Sequence, residues 1–163
     1  MKLPLKLYGR RPLTRLESGL YAGIAAILIA IFAAYVLDFM DTAERVGMEL
    51  TLSYVISGAN TRVAYDMLLG KTPAGLAATR TNPFELARMT PGNFLGSGDS
   101  SNIGSLERGS WFYDVTREEL VYLPRLRRGL ETAAPDNALR WRFARRNDGP
   151  GYVLTLTTPY RWQ

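Results

Sequence analysis

The densest acidic group in the sequence is Asp114, Glu118 and Glu119, and neighbouring carboxylates are the minimum equipment for general acid–base chemistry. They fall between two aromatic and β-branched runs, in a hairpin connection where solvated carboxylates are the expected state. The 163 residues include no histidine and no cysteine. The commonest general base, the commonest metal ligand, the reactive thiol and the disulfide are therefore all missing from the repertoire. Asp99 and Glu107 lack the spaced oxygen ligands of a calcium loop, and no glycine-rich turn is followed by lysine and serine to hold phosphate. The expectation is a non-enzymatic chain with no catalytic residue, no cofactor and no metal.

The arginines offer a different chemistry. From Arg125 onward eight of them face only Glu131, Asp136 and Asp148, so the C-terminal third is locally basic. Arg125, Arg127, Arg128, Arg140, Arg142, Arg145 and Arg146 are the candidate anion-binding set, for an anionic polymer or lipid headgroups; a merely solvated face is the plainer reading. Trp141 and Tyr152 could stack nucleobases, but strand alternation buries Trp141, and nucleic acid is not expected as a partner. A membrane-tethered binding module built on this basic face is the alternative reading of function.

Glu17 is the third chemically suggestive residue, because it stands directly before an uncharged stretch. Ser18 to Leu37 are twenty residues without a charge, enough at about 1.5 Å each to cross the roughly 30 Å core of a bilayer. The run is longer than the apolar part of a cleavable signal, typically about 7–15 residues, and passes straight into Asp38-Phe39-Met40-Asp41. Lys2, Lys6, Arg10, Arg11 and Arg15 precede it, and Asp38, Asp41 and Glu44 come after it. This bias puts the N-terminus in the cytoplasm and the rest on the far side. Within the run, Ala22, Ala26, Ala30 and Ala34 recur every fourth residue and Gly19 pairs with Gly23, a spacing that lets another helix approach closely in lipid. Common use of alanine in membrane helices explains the same pattern. Glu17 is either an interfacial residue neutralised by Arg15 or a carboxylate for a partner's positive group.

These residues need elements to position them. The sequence divides into a basic leader 1–17, a transmembrane helix 18–37 and a far-side domain 38–163. Helix is expected over 41–70, with Leu52, Ile56, Ala59, Val63 and Met67 on one face, both Gly47 and Gly58 weakening it and Gly70 ending it. The region 71–110 reads as loop, interrupted by a short helix capped by Asn82-Pro83-Phe84-Glu85 and running to about Met89. Four glycines and five serines in 96–110 suggest little capacity to bury a core. An antiparallel sheet over 111–158 is expected from the runs 111–113, 120–123, 139–143 and 152–157. Alternation places Leu139, Trp141 and Phe143 inward and Arg140 and Arg142 outward. The fold class is thus α+β, a long N-terminal helix packed on a C-terminal antiparallel sheet of about four strands.

This arrangement resembles the type IV pilin and type II secretion pseudopilin superfamily. The local text is similar too: Asn82-Pro83-Phe84-Glu85-Leu86, Pro91-Gly92-Asn93-Phe94-Leu95-Gly96, Gly109-Ser110-Trp111-Phe112-Tyr113-Asp114 and Glu119-Leu120-Val121-Tyr122 look like a run common in minor pilin-like proteins. At the N-terminus, Thr14 and Glu17 match the family's processing motif, whereas Pro12 and Arg15 depart from it. The resemblance implies a subunit or assembly factor of a pilus or pseudopilus, single-pass in a bacterial inner membrane with a periplasmic domain. Its partners would be other pilin subunits and inner-membrane assembly proteins. It implies subunit contacts through Thr14, Glu17, Gly19, Ala22, Gly23, Ala26, Ala30 and Ala34, with Glu17 pairing with a neighbour's N-terminal positive group. Pro12 and Leu13 stand where processing would occur.

Overall fold

The computed structural model describes residues 14–71 and 81–162. The chain forms two compact units, Met1–Phe39 and Met40–Gln163, and one helix, α1, runs Arg15–Leu68. In the first unit every described residue is exposed. Leu20, Ile24, Ile27, Leu28, Ile29 and Phe32 lie between 47% and 70% exposed, so the apolar run has no cover from the described residues. By length and composition it is able to cross a membrane once.

In the second unit α1 buries Met48, Val55, Ala59, Val63 and Asp66, with Leu52 and Ile56 partly covered. The expected stripe is present but turned: Met67 is exposed and Asp66 takes the inward position, in an ion pair with Arg62 at 3.2 Å. The stop is as expected. Gly70 at φ 65 permits Lys71 N to donate to the Asp66 carbonyl and Gly70 N to that of Met67, the paired bonds of a glycine-terminated helix. Gly58 allows a close crossing, since a Cβ there would stand 3.0 Å from the Cβ of Ala87.

The second helix, α2 (Pro83–Leu86), is one turn, capped by the Asn82 side chain accepting from Phe84 N. It stops short of Met89. Seven strands come next among the described residues: β1 (Phe94–Gly98), β2 (Ser110–Asp114), β3 (Glu119–Leu123), β4 (Leu130–Thr132), β5 (Leu139–Arg145), β6 (Tyr152–Leu156) and β7 (Tyr160–Trp162). The main sheet has the order β1-β2-β3-β5-β6, antiparallel except for the parallel β1–β2 pair, and β4 pairs with β7 in a separate ribbon. The four expected strands are all present. β1, β4 and β7 are additions, too short or too glycine-rich to stand out by period.

At β2 and β3 both faces of the sheet are covered. Toward α1, Trp111, Leu120, Tyr122, Leu139 and Trp141 pack with Met48, Val55, Phe84 and Trp162. On the other face, Phe112, Val121 and Leu123 pack with Ile103 and Leu106, carried by a 3-10 helix (Ser100–Ser105) and the residue that caps it. The serine- and glycine-rich stretch therefore does bury a core, because two apolar side chains on a capped turn suffice to cover the second layer.

Candidate functional site

At the start of α1, Thr14 and Glu17 form a reciprocal cap. Glu17 Oε2 accepts from Thr14 N at 2.8 Å and from its hydroxyl at 2.9 Å, while Glu17 N donates to Thr14 Oγ1. These bonds satisfy amides that the helix itself leaves unpaired. They hold the Glu17 carboxyl below its ordinary pKa, the Thr14 backbone bond contributing most, so the carboxylate stays charged. Gly19, Ala22, Gly23, Ala26, Ala30 and Ala34 are all exposed, and nothing among the described residues lies within 4 Å of where a Cβ would stand on Gly19 or Gly23. The small-residue stripe is open to a partner along its length. Pro12 and Leu13 lie outside the described residues.

The second unit is tied to its part of α1 by three polar knots. Glu44 accepts from the Tyr122 hydroxyl at 2.8 Å, Arg125 N at 2.6 Å and Leu126 N at 2.9 Å. Burial and the Glu44 carboxylate push the Tyr122 hydroxyl well above its ordinary pKa. Buried Asp41 accepts from the Trp162 indole at 2.8 Å, and Arg45 donates to the Trp162 carbonyl at 2.8 Å. Further along, Asn60 bonds both ways to the backbone of Tyr152. Sequence periodicity does not reveal these knots, since each joins residues at least 78 positions apart; the only sequence trace is polar residues at 41, 44, 45 and 60 on a helix that must be covered.

The seven arginines do not form one face. Arg140, expected outside, is buried, lying 4.0 Å from Glu119 and paired with Asp136. The reason is local: Arg140 lies opposite the covered Val121 of β3 and is met by Glu119 and Asp136, whereas Arg142, further along the same face of β5, is exposed as expected. Arg142 stands 3.6 Å from Glu119 and Arg146 3.6 Å from Asp148. Arg125, Arg127 and Arg128 belong to the loop after β3, and Arg145 ends β5. The acidic group also differs from expectation: Asp114 and Glu119 are buried. Asp114 caps the β2–β3 turn by accepting from Thr116 N and Arg117 N, and Glu119 balances Arg140. Comparison of the chain with protein-family models, with curated proteins and with solved structures gives no match.

Proposed function

We propose that the chain is a pilin-like subunit or assembly factor of a type IV pilus or type II secretion pseudopilus, working through helix packing and subunit contact. In this reading it resides single-pass in a bacterial inner membrane, N-terminus cytoplasmic and second unit periplasmic. The observation that carries the proposal is the division of labour along α1. Residues 18–37 expose an apolar surface that the described residues leave uncovered, whereas the stretch from Met48 to Val63 lies beneath an antiparallel sheet. A helix uncovered in one part and docked in the next is suited to storage in lipid and later lateral packing with like helices.

Glu17 supports the same reading. Its described bonds use Oε2, and its charge is retained, so Oε1 is available to a neighbour's cation. The test is pull-down from membranes of the source cell: wild type recovers pilin-like subunits, and Glu17→Gln, which keeps a carbonyl acceptor for the Thr14 cap but loses the charge, recovers fewer. Equal recovery removes Glu17 from the contact; loss of the gene without effect on pili or secretion overturns the proposal.

A further inference from the structure

The direction of the strands brings a group of arginines to one end of the second unit. β3 runs toward Glu44, where Tyr122, Arg125 and Leu126 are all bonded. β5 runs the opposite way and ends with Arg145 opposite Tyr152, whose backbone is held by Asn60. The loop leaving β3 therefore emerges at the Asp41–Arg45 end of this stretch of α1. It is fixed there twice: by Leu126 N on Glu44, and by Leu130, which pairs with Trp162 while Trp162 is bonded to Asp41 and Arg45.

Between those anchors stand Arg127, Arg128 and Gly129, all exposed, in a turn closed by Leu130 N donating to the Arg127 carbonyl at 3.2 Å. Gly129 at φ 73 makes the turn. Arg161, also exposed, is carried to the same end by β7. Arg125 is laid over Gly109, its Nε 3.0 Å from where a Cβ would stand. The exposed acids of this end are Glu131, in register with Arg161, Glu49, near enough to Tyr160 to raise its hydroxyl, and Glu107, two residues before Gly109, which bonds to Leu123. Glu44 is spent on three hydrogen bonds and Asp41 is buried. Arg127 and Arg128 are thus left facing solvent with no ion pair among the described residues.

Glu44 is only seven residues beyond Leu37, the end of the uncharged run. Seven residues reach at most about 25 Å in any conformation, so the Glu44 end of the second unit is tethered within reach of the surface of a membrane that holds residues 18–37. We infer that the turn Arg127–Gly129, with Arg161 beside it, is a headgroup-binding collar that engages anionic phospholipid on the far side of the membrane. Guanidinium forks suit phosphate oxygens, and the double anchoring of the turn holds them in place without a large loss of freedom. The inference rests on the membrane-spanning reading of residues 18–37, and not on the pilin-like one.

The test is hydrogen exchange of the full chain reconstituted in vesicles of phosphatidylcholine alone or of phosphatidylcholine with phosphatidylglycerol, after flotation has verified that the chain travels with both. Arg125 and Leu126 amides are already bonded to Glu44, so the informative amides are those of Arg127, Arg128 and Gly129. Their exchange slows in the anionic vesicles, salt restores it, and each arginine replaced in an Arg127→Gln, Arg128→Gln, Arg161→Gln series weakens the protection by about fivefold. The turn 146–151, near the opposite end, serves as internal control. Equal exchange in the two vesicles overturns the collar, as does protection that survives salt and the triple replacement, or protection of 146–151 instead. A chain that floats with neither vesicle overturns the membrane span itself, a failure distinct from the others.

Discussion

Asn60 completes the edge of the sheet as a strand would: its Nδ2 donates to the Tyr152 carbonyl at 3.2 Å and its Oδ1 accepts from Tyr152 N at 2.7 Å. A single amide side chain on a helix thereby supplies both halves of a backbone pairing. Gly151 makes room for it, since a Cβ there would stand 2.8 Å from the Asn60 Oδ1 in a backbone already at φ 135.

Asn60→Asp keeps the acceptor and loses the donor, leaving the Tyr152 carbonyl facing a carboxylate. A loss of about 1–3 kcal/mol is expected, read by urea unfolding of the detergent-solubilised chain. Gly151→Ala costs at least as much, because the clash and the strained φ add; equal stability of both variants with wild type would remove Asn60 from the docking of α1.

Glu44 holds three donors, two of them backbone amides of the loop after β3. Glu44→Ala is expected to lower stability by about 2–3 kcal/mol, and Tyr122→Phe by about 1 kcal/mol. Because the two share one bond, the double variant falls short of the sum; strict additivity in the four unfolding curves would contradict the geometry.

Arg140 is the centre of a buried charge group with Glu119 and Asp136. Arg140→Ala strands the buried Glu119 carboxylate and is expected to cost about 3–5 kcal/mol. Arg142→Ala, whose side chain is 58% exposed at 3.6 Å from Glu119, costs less than about 1 kcal/mol. The comparison of the two melting curves is decisive, since a basic face of equivalent arginines would give equal effects.

Alkali should weaken the second unit from about pH 10 upward. Burial raises the hydroxyls of Tyr122, Tyr152 and Tyr160, with Glu44 adding to the first and Glu49 to the last. In the unfolded chain tyrosine ionises near pH 10, while in the folded chain these three ionise at higher pH. Their stabilisation is full below that pH and is lost as pH rises through the folded values. Acid acts oppositely at Asp136, where burial raises the carboxyl and the larger combined effect of the Arg140 and Ala138 bonds lowers it. Its contribution is present above pH 3.8 and fades as pH falls below that value. Phenolate absorbance tracked alongside unfolding tests the alkaline limb: an increase for all tyrosines below the unfolding transition would refute it.

The parts of this fold legible in the sequence are those with an unbroken period. The uncharged run 18–37, the strands at 111–113, 120–123, 139–143 and 152–157, and the stop at Gly70 all carry a local physical signature. The rest depends on partners distant in the chain. Arg140 reads as outward because alternation is blind to Glu119 and Asp136, the carboxylates that meet it on the second face. Met67 reads as inward because Asp66 is polar, and the Arg62 pair helps to make its burial tolerable. β7 escapes notice because three residues after Pro159 give no period, although Trp162 is part of the main core. Within the candidate site, Glu17 and the small residues are visible by spacing, whereas the Glu44, Asp41 and Asn60 knots and the placement of Arg161 are not.

The clasp of Trp162 by Asp41 and Arg45 joins positions 121 apart in the chain. A ribosome delivers residue 41 long before residue 162, so the indole cannot arrive until nearly everything between has left the exit channel. Long-separation contacts of this kind close late. The clasp is therefore among the last contacts of the second unit to close during synthesis, and until then the Asp41 carboxylate and the indole each remain in water.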